Sequence, residues 1–324
     1  MMNVKTLTKA SILIGATALS STAFAGLSGK INDTEWKVGG FVELETTVQD
    51  TKGAGSVSDM TARRTRVDLR TSTDTPEGKA TGRLEFDFAG KTKDKDLVPR
   101  IRHAVINWNG WTFGQTLSTF SNFEAYHKSV DDAMPAPLVP STGYIHSSNP
   151  LERNPQIAYG QKFGEGFSYK IAVEKADKPL RTESSTDFFY AGRLAYNNKG
   201  PFAASIALAS YKDTSDENQW RAALGARYQL GKVSFRLGHN YDDGVDGTVT
   251  SGSVRYNFDK NNWVSAIHEH AEIDGPIGTG EGDRSYLNYY RQLTKTVQVG
   301  FEYMDFNGST TEYDTYRVDI KKTF

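Results

Sequence analysis

Charged and apolar residues alternate one for one along most of this chain. In RRTRVDLRT, residues 63–71, the charged positions Arg64, Arg66, Asp68 and Arg70 interleave with Thr65, Val67, Leu69 and Thr71. Such alternation predicts a β-strand with two unlike faces. Val38, Gly40, Val42, Leu44, Thr46 and Val48 likewise share a face, opposed by Lys37, Gly39, Phe41, Glu43 and Glu45. Leu84, Phe86 and Phe88 oppose Lys79, Arg83, Glu85 and Asp87, and Trp220, Ala222, Leu224, Ala226 and Tyr228 oppose Arg221 and Arg227. Near the end, Tyr316, Val318 and Ile320 oppose Arg317, Asp319 and Lys321. No helical periodicity of any length is visible, and no linker or change of composition divides the chain.

The connectors between these segments alternate too. Short ones are TDTPEG (73–78), NG (109–110), GEG (164–166), NNKGP (197–201), LGK (230–232), DKNN (259–262) and TKT (294–296). Between them lie longer, polar ones: DTKGAGSVSD (50–59), KTKDKDLV (91–98), a very long one near 118–153, KADKPLRTES (175–184), DTSDEN (213–218), DDGVDG (242–247), IDGPIGTGEGDR (273–284) and NGSTTE (307–312). Eight long and seven short connectors separate sixteen strands. This pattern predicts an all-β fold, a 16-stranded antiparallel transmembrane β-barrel over residues 26–324, with short turns at one end and long loops at the other. The apolar rows then face lipid and the charged rows a water-filled bore, and closure leaves no unpaired backbone edge in hydrocarbon. An arginine moved to the lipid face at mid-bilayer costs roughly 2–4 kcal/mol. The alternating arginines therefore belong inside, and Arg63, out of phase with them, belongs near the long-loop rim. Soluble sandwiches and propellers also have many short strands, but neither explains the two-sided loop lengths.

The N-terminus agrees with export. Lys5 and Lys9 precede the apolar run ASILIGATAL, and STAFA offers small residues at Ala23 and Ala25. Residues 1–25 read as a secretory signal peptide cut after Ala25. Mean hydropathy is −0.55 and the chain contains no cysteine, which suits a fold held by a hydrogen-bond ladder rather than by disulfides. Formal net charge is −1, falling to −3 once Lys5 and Lys9 leave, so there is no bulk basic footprint for nucleic acid. The expected location is the outer membrane of a Gram-negative bacterium, with its lipid and lipopolysaccharide as surroundings. The terminal Phe324 resembles the ending read by the outer-membrane assembly machinery.

Candidate chemistry centres on the bore. The third long connector carries Glu124, Asp131 and Asp132, stiffened by Pro135, Pro137 and Pro140. A loop of that length is usually functional, and its aromatic residues Phe120, Phe123, Tyr126 and Tyr144 favour folding inward to narrow the bore. Opposite it, the second to fourth strands supply Arg64, Arg66, Arg70, Arg83, Arg100 and Arg102, partly neutralised by Asp68, Glu85 and Asp87. Phase in RIRHAVINW is less clean, since Ala104 and Ile106 share a face with Arg102. Further inward cations, Lys170, Arg193, Arg227, Arg236, Arg255 and Arg317, extend a basic path. Guanidinium groups attract and bidentately bind carboxylates and phosphates. Enzymatic constellations are absent from the sequence: no G-x-S-x-G or Ser–His pairing is legible. GTGEG (278–282) reads as loop rather than phosphate cradle. In HEH (268–270) two imidazoles share a face without a third ligand in evident range. No catalytic residue, cofactor or metal is expected.

At RIRHAVINWNGWTFGQT (100–116) the chain resembles Gram-negative trimeric porins of the DcaP type, with a basic R-x-R-H-A strand, an Asn-Gly turn and a W-x-F-G-Q-T strand leading into the long loop. TRVDLRTSTDTPEGKATGRLEFDF and RNPQIAYG are similar as well. The resemblance implies a homotrimer of sixteen-stranded barrels that takes up small negatively charged solutes such as dicarboxylates, without ATP or catalysis. It places Arg100 and Arg102 in the lumen, with Gln115 and Thr116 leading to the constriction. Some members carry an N-terminal coiled coil, whereas about ten residues precede the first strand here. The expected function is a passive diffusion channel preferring small anions. A cation-preferring or non-selective porin, and a structural or adhesive barrel with a plugged bore, are the alternatives.

Overall fold

The computed structural model describes residues 27–91, 96–121, 123–126, 153–175, 188–212, 216–275, 278–309 and 311–324. The proposed signal segment 1–25 lies outside them. The strands are β1 (Ser28–Ile31), β2 (Thr34–Thr51), β3 (Gly55–Thr61), β4 (Arg66–Thr75), β5 (Gly78–Lys91), β6 (Asp96–Trp108), β7 (Trp111–Leu117), β8 (Arg153–Phe163) and β9 (Phe167–Glu174). They continue as β10 (Phe189–Asn197), β11 (Phe202–Lys212), β12 (Asn218–Leu230), β13 (Val233–Asp242), β14 (Gly247–Asn257), β15 (Asn262–Gly275), β16 (Gly278–Gln292), β17 (Val297–Gly308) and β18 (Glu312–Thr323).

Every neighbouring pair is antiparallel, and β18 returns to β2 with Val318 opposite Thr46. At this seam Gly40 and the terminal Phe324 exchange backbone hydrogen bonds of 3.3 and 3.1 Å. Strands β3 and β4 pair with successive halves of β2 and form one interrupted stave. The short β1 pairs only with the start of β2, beyond the end of β18. The wall is therefore a closed 16-stranded antiparallel β-barrel.

Burial is inverted relative to a soluble domain. Leu237 is 64% exposed on the outer surface, while Asp319, Asp87 and Asn288 are 0% exposed on the inner one. Outward aromatic rings gather near the short turns, with Trp111 5.0 Å from Tyr159 and Phe167 4.9 Å from Tyr196. A second group lies toward the long connectors, with Trp220 and Tyr241 4.8 Å apart and Tyr303 and Tyr316 5.3 Å apart. Two such girdles bracketing an apolar band mark the interfaces of a membrane-spanning barrel. The Asn109–Gly110 turn has φ of 46° and 83°, the doubly positive geometry of a tight hairpin.

The structure corrects three expectations. Strand β2 is 18 residues long and β16 is 15, well beyond the roughly 9–11 needed to cross. The connectors expected at 50–59 and 273–284 are therefore mostly ladder, and GTGEG lies within β16. Polar residues above the lipid keep their cross-strand bonds, so polarity there does not end a strand. Second, the stave carrying Arg64 breaks at residues 62–65, and Arg63 sits midway along it rather than at the rim. Third, the irregular phase near Arg102 is a β-bulge. Glu85 pairs with His103 and Phe86 with Ile101, leaving Arg102 as the extra residue. A bulge re-aims side chains, so Arg102 and His103 are both buried, while Ile101 and Ile106 face outward.

Candidate functional site

The basic wall of β4 to β6 is knitted together by carboxylates. Register sets Asp68 opposite Glu85, and Arg70 opposite Arg83. Like charges directly opposite are unfavourable, and the side chains resolve this diagonally. Asp68 accepts from Arg70 Nε at 2.8 Å and from Arg83 Nε at 3.0 Å. Arg83 Nη2 also donates to Glu85 at 2.6 Å. Arg102 bridges Glu85 and Asp87 at 2.8 and 2.7 Å, and Arg100 Nη2 meets Asp87 at 2.7 Å. Arg64 reaches Glu45 at 3.1 Å, and the Arg66 guanidinium lies 5.0 Å from the centre of the inward Phe41 ring. His103 Nδ1 lies 2.8 Å from the Thr116 hydroxyl. All six predicted arginines thus share one wall, where Arg64, Arg70, Arg83, Arg100 and Arg102 are seen in ion pairs and Arg66 stacks on Phe41.

The start of the third connector packs on inward-facing side chains. The buried Glu174 carboxylate accepts from the Thr119 N–H at 2.6 Å and from Asn154 at 3.0 Å. Phe120 sits in an apolar cluster with Phe189, Ala207 and Tyr211. Glu124 is ion-paired with Arg193 of β10 and accepts from the Ser205 hydroxyl of β11 at 2.6 Å. Burial pulls the Glu124 pKa upward, but Arg193 and Ser205 outweigh it and hold the carboxyl below its ordinary range. Arg236 of β13 donates to the carbonyls of Phe123 and Glu124 at 3.1 and 3.3 Å. Gly238 makes this approach feasible, because a Cβ there would sit 2.7 Å from the Ala125 methyl. Asp131, Asp132 and Tyr144 lie outside the described residues.

Beside that segment, three of the further inward cations expected from the sequence gather around one cavity, a grouping the alternation alone did not show. Arg227, Arg236 and Arg255 of β12 to β14 line a cavity of about 330 Å³ with Tyr126, Ser234 and Ser253. Register places Arg227 directly opposite Arg236, whereas Arg255 faces Ser234. Arg255 donates to Asn257 at 3.0 Å and lies 4.2 Å from the Trp263 ring centre. Arg227 Nε is buried without a hydrogen-bond partner among the described residues. No described carboxylate forms an ion pair with these three, in contrast to the opposite wall. The signal available in the sequence was the composition between the cations. Serines occupy the inward positions where Glu85 and Asp87 stand on the other side.

A wide barrel with an inner charged lining is open to several channel types, and comparison with known families decides among them. The profile of the Gram-negative porin family matches residues 10–311. The chain belongs to that family. This porin is a channel of the Gram-negative outer membrane, and its family and fold are those of a passive conduit rather than an enzyme. Its fold is similar to the outer membrane channel DcaP of Acinetobacter baumannii, with a TM-score of 0.77 at 20% identity, covering 93% of this chain and 100% of that one. It is also similar to an anion-selective porin from Comamonas acidovorans, with a TM-score of 0.64 at 16% identity, covering 90% and 100%. The Salmonella typhi OmpF complex with daunomycin gives 0.67 at 13% identity, covering 92% and 100%. No curated protein matches the porin.

Proposed function

We propose that this porin is a diffusion channel with a preference for small anions, carboxylates and dicarboxylates among them. The observation that carries this reading is the cluster of Arg227, Arg236 and Arg255, which line one cavity without a described carboxylate partner. Clustered guanidinium groups in a narrow aqueous path lower the barrier for anions and raise it for cations. The anion selectivity named for the Comamonas acidovorans porin agrees with this. In the same reading Arg64, Arg66, Arg70, Arg83, Arg100, Arg102 and Glu124 form opposed surfaces of the constriction, to which Asp131 and Asp132, outside the described residues, belong as further acidic members. Residues 1–25 are removed on export, and three mature chains assemble as a homotrimer in lipid and lipopolysaccharide.

The test is the reversal potential of single channels in a planar bilayer under a KCl gradient. Chloride permeability above that of potassium is expected. A cation-selective channel would reject the proposal and favour the second reading, a cation-preferring porin, for which the outward carboxylates Asp50, Asp314 and Asp305, opposite one another at the long-connector rim, speak.

A further inference from the structure

Outside the bore, the tip of the β15–β16 hairpin gathers four potential ligands on its outward face. His270 stands opposite Asp283, and Glu272 opposite Glu281. Two carboxylates in direct cross-strand opposition destabilise a hairpin unless a cation lies between them. The imidazole is placed to serve that cation rather than to replace it alone. His270 Nδ1 is 2.9 Å from Asp283 Oδ1, and Nε2 is 3.0 Å from Glu272 Oε1. A carboxylate behind one ring nitrogen fixes the ring and aims the other at a metal, the usual support for a metal-binding histidine. One nitrogen of His270 and one oxygen each of Glu272 and Glu281 all lie within 4.8 Å of one another. Both glutamates are exposed and rotate freely enough to close on one ion. The sequence shows two histidines of HEH on one face, but the register of the next strand supplies the missing ligand. His268 stands at the edge of the cluster, its Nδ1 3.0 Å from the Ser285 hydroxyl and its Nε2 3.5 Å from the same Asp283 Oδ1.

We propose that His270, Glu272 and Glu281 bind a divalent ion of the Zn²⁺ class at the outer rim, with Asp283 as the positioning residue for the imidazole. One imidazole with two carboxylates and open positions suits Zn²⁺, Co²⁺ or Ni²⁺. Ca²⁺ and Mg²⁺ prefer all-oxygen shells. A ligating imidazole nitrogen must be unprotonated, so affinity falls as the medium is acidified.

The experiment is calorimetric titration of Zn²⁺ into the untagged, chelator-stripped, folded porin in detergent, with proton release followed in two buffers of different ionisation enthalpy. One ion per chain is expected. His270→Ala and Glu281→Gln abolish it, Asp283→Asn weakens it by about 10- to 100-fold, and Asp305→Asn, another rim carboxylate, leaves it intact. Circular dichroism confirms that these outward substitutions keep the barrel. Absence of Zn²⁺ uptake at micromolar concentration, or uptake unchanged in H270A and E281Q, overturns the proposal. Channel selectivity is not involved in either outcome.

Discussion

Arg227 and Arg236 stand directly opposite each other on adjacent strands, both facing the bore. Arg236 spends its hydrogen bonds on the carbonyls of Phe123 and Glu124, and Arg227 keeps a buried Nε without a described partner. A pair of like charges in that register costs stability. Its retention makes sense if the positive potential is what the site is for.

Arg227→Ala therefore moves two quantities in opposite directions. Relief of the repulsion stabilises the barrel by about 0.2–1 kcal/mol, seen as a later guanidinium unfolding midpoint. The chloride-to-potassium permeability ratio falls by at least about fivefold, the effect on chloride alone of losing about 1 kcal/mol for one unit charge near 4 Å in water. A variant that loses stability and keeps its selectivity would contradict this account.

Gly238 is the seat of the connector. Gly238→Val places carbon where Ala125 now sits and pushes residues 123–126 off the wall. Single-channel conductance is expected to rise with the barrel still assembled, since position 238 lies on the bore side of the wall beneath Ala125 and the strand ladder is untouched. Unaltered conductance in a folded variant would mean that this segment does not limit the current.

Glu124 gives the seat a pH dependence. Its folded pKa lies below the ordinary value of 4.5, because Arg193 and Ser205 favour the ionised form over the cost of burial. A depressed carboxyl contributes stability that is complete above the ordinary value and is lost as pH falls through the depressed one. Amide exchange of residues 118–126 should accelerate in that acid window and not at pH 6–8. Glu124→Gln should show the fast exchange at neutral pH.

Arg102 is held by Glu85 and Asp87, and all three side chains are nearly inaccessible. Arg102→Met leaves two buried carboxylates short of a counter-charge, a loss of up to about 3–5 kcal/mol. Adding Glu85→Gln to Arg102→Met should recover part of that loss in the unfolding midpoint. Additive effects of the two substitutions would show that the pair is not coupled.

Much of this was readable in the chain itself. Alternation is local and has a period of two, so the strands, their faces and their number follow from residues close together, as Val42, Leu44 and Glu43, Glu45 illustrate. The membrane then leaves closure as the way to satisfy every backbone group. What the alternation could not carry is whatever depends on a neighbouring strand. The bulge that turns both Arg102 and His103 inward exists only against Glu85 and Phe86. The break at 62–65 exists only because β3 and β4 meet different halves of β2. Whether an inward arginine is paired or bare is a matter of register: Arg83 finds Asp68 across one strand boundary, and Arg227 finds Arg236 across another. Outside that bulge and that break, local sequence determined which way a side chain points. Only the assembled sheet decided what it points at, because charge compensation acts across strands over a few ångströms and not along the chain.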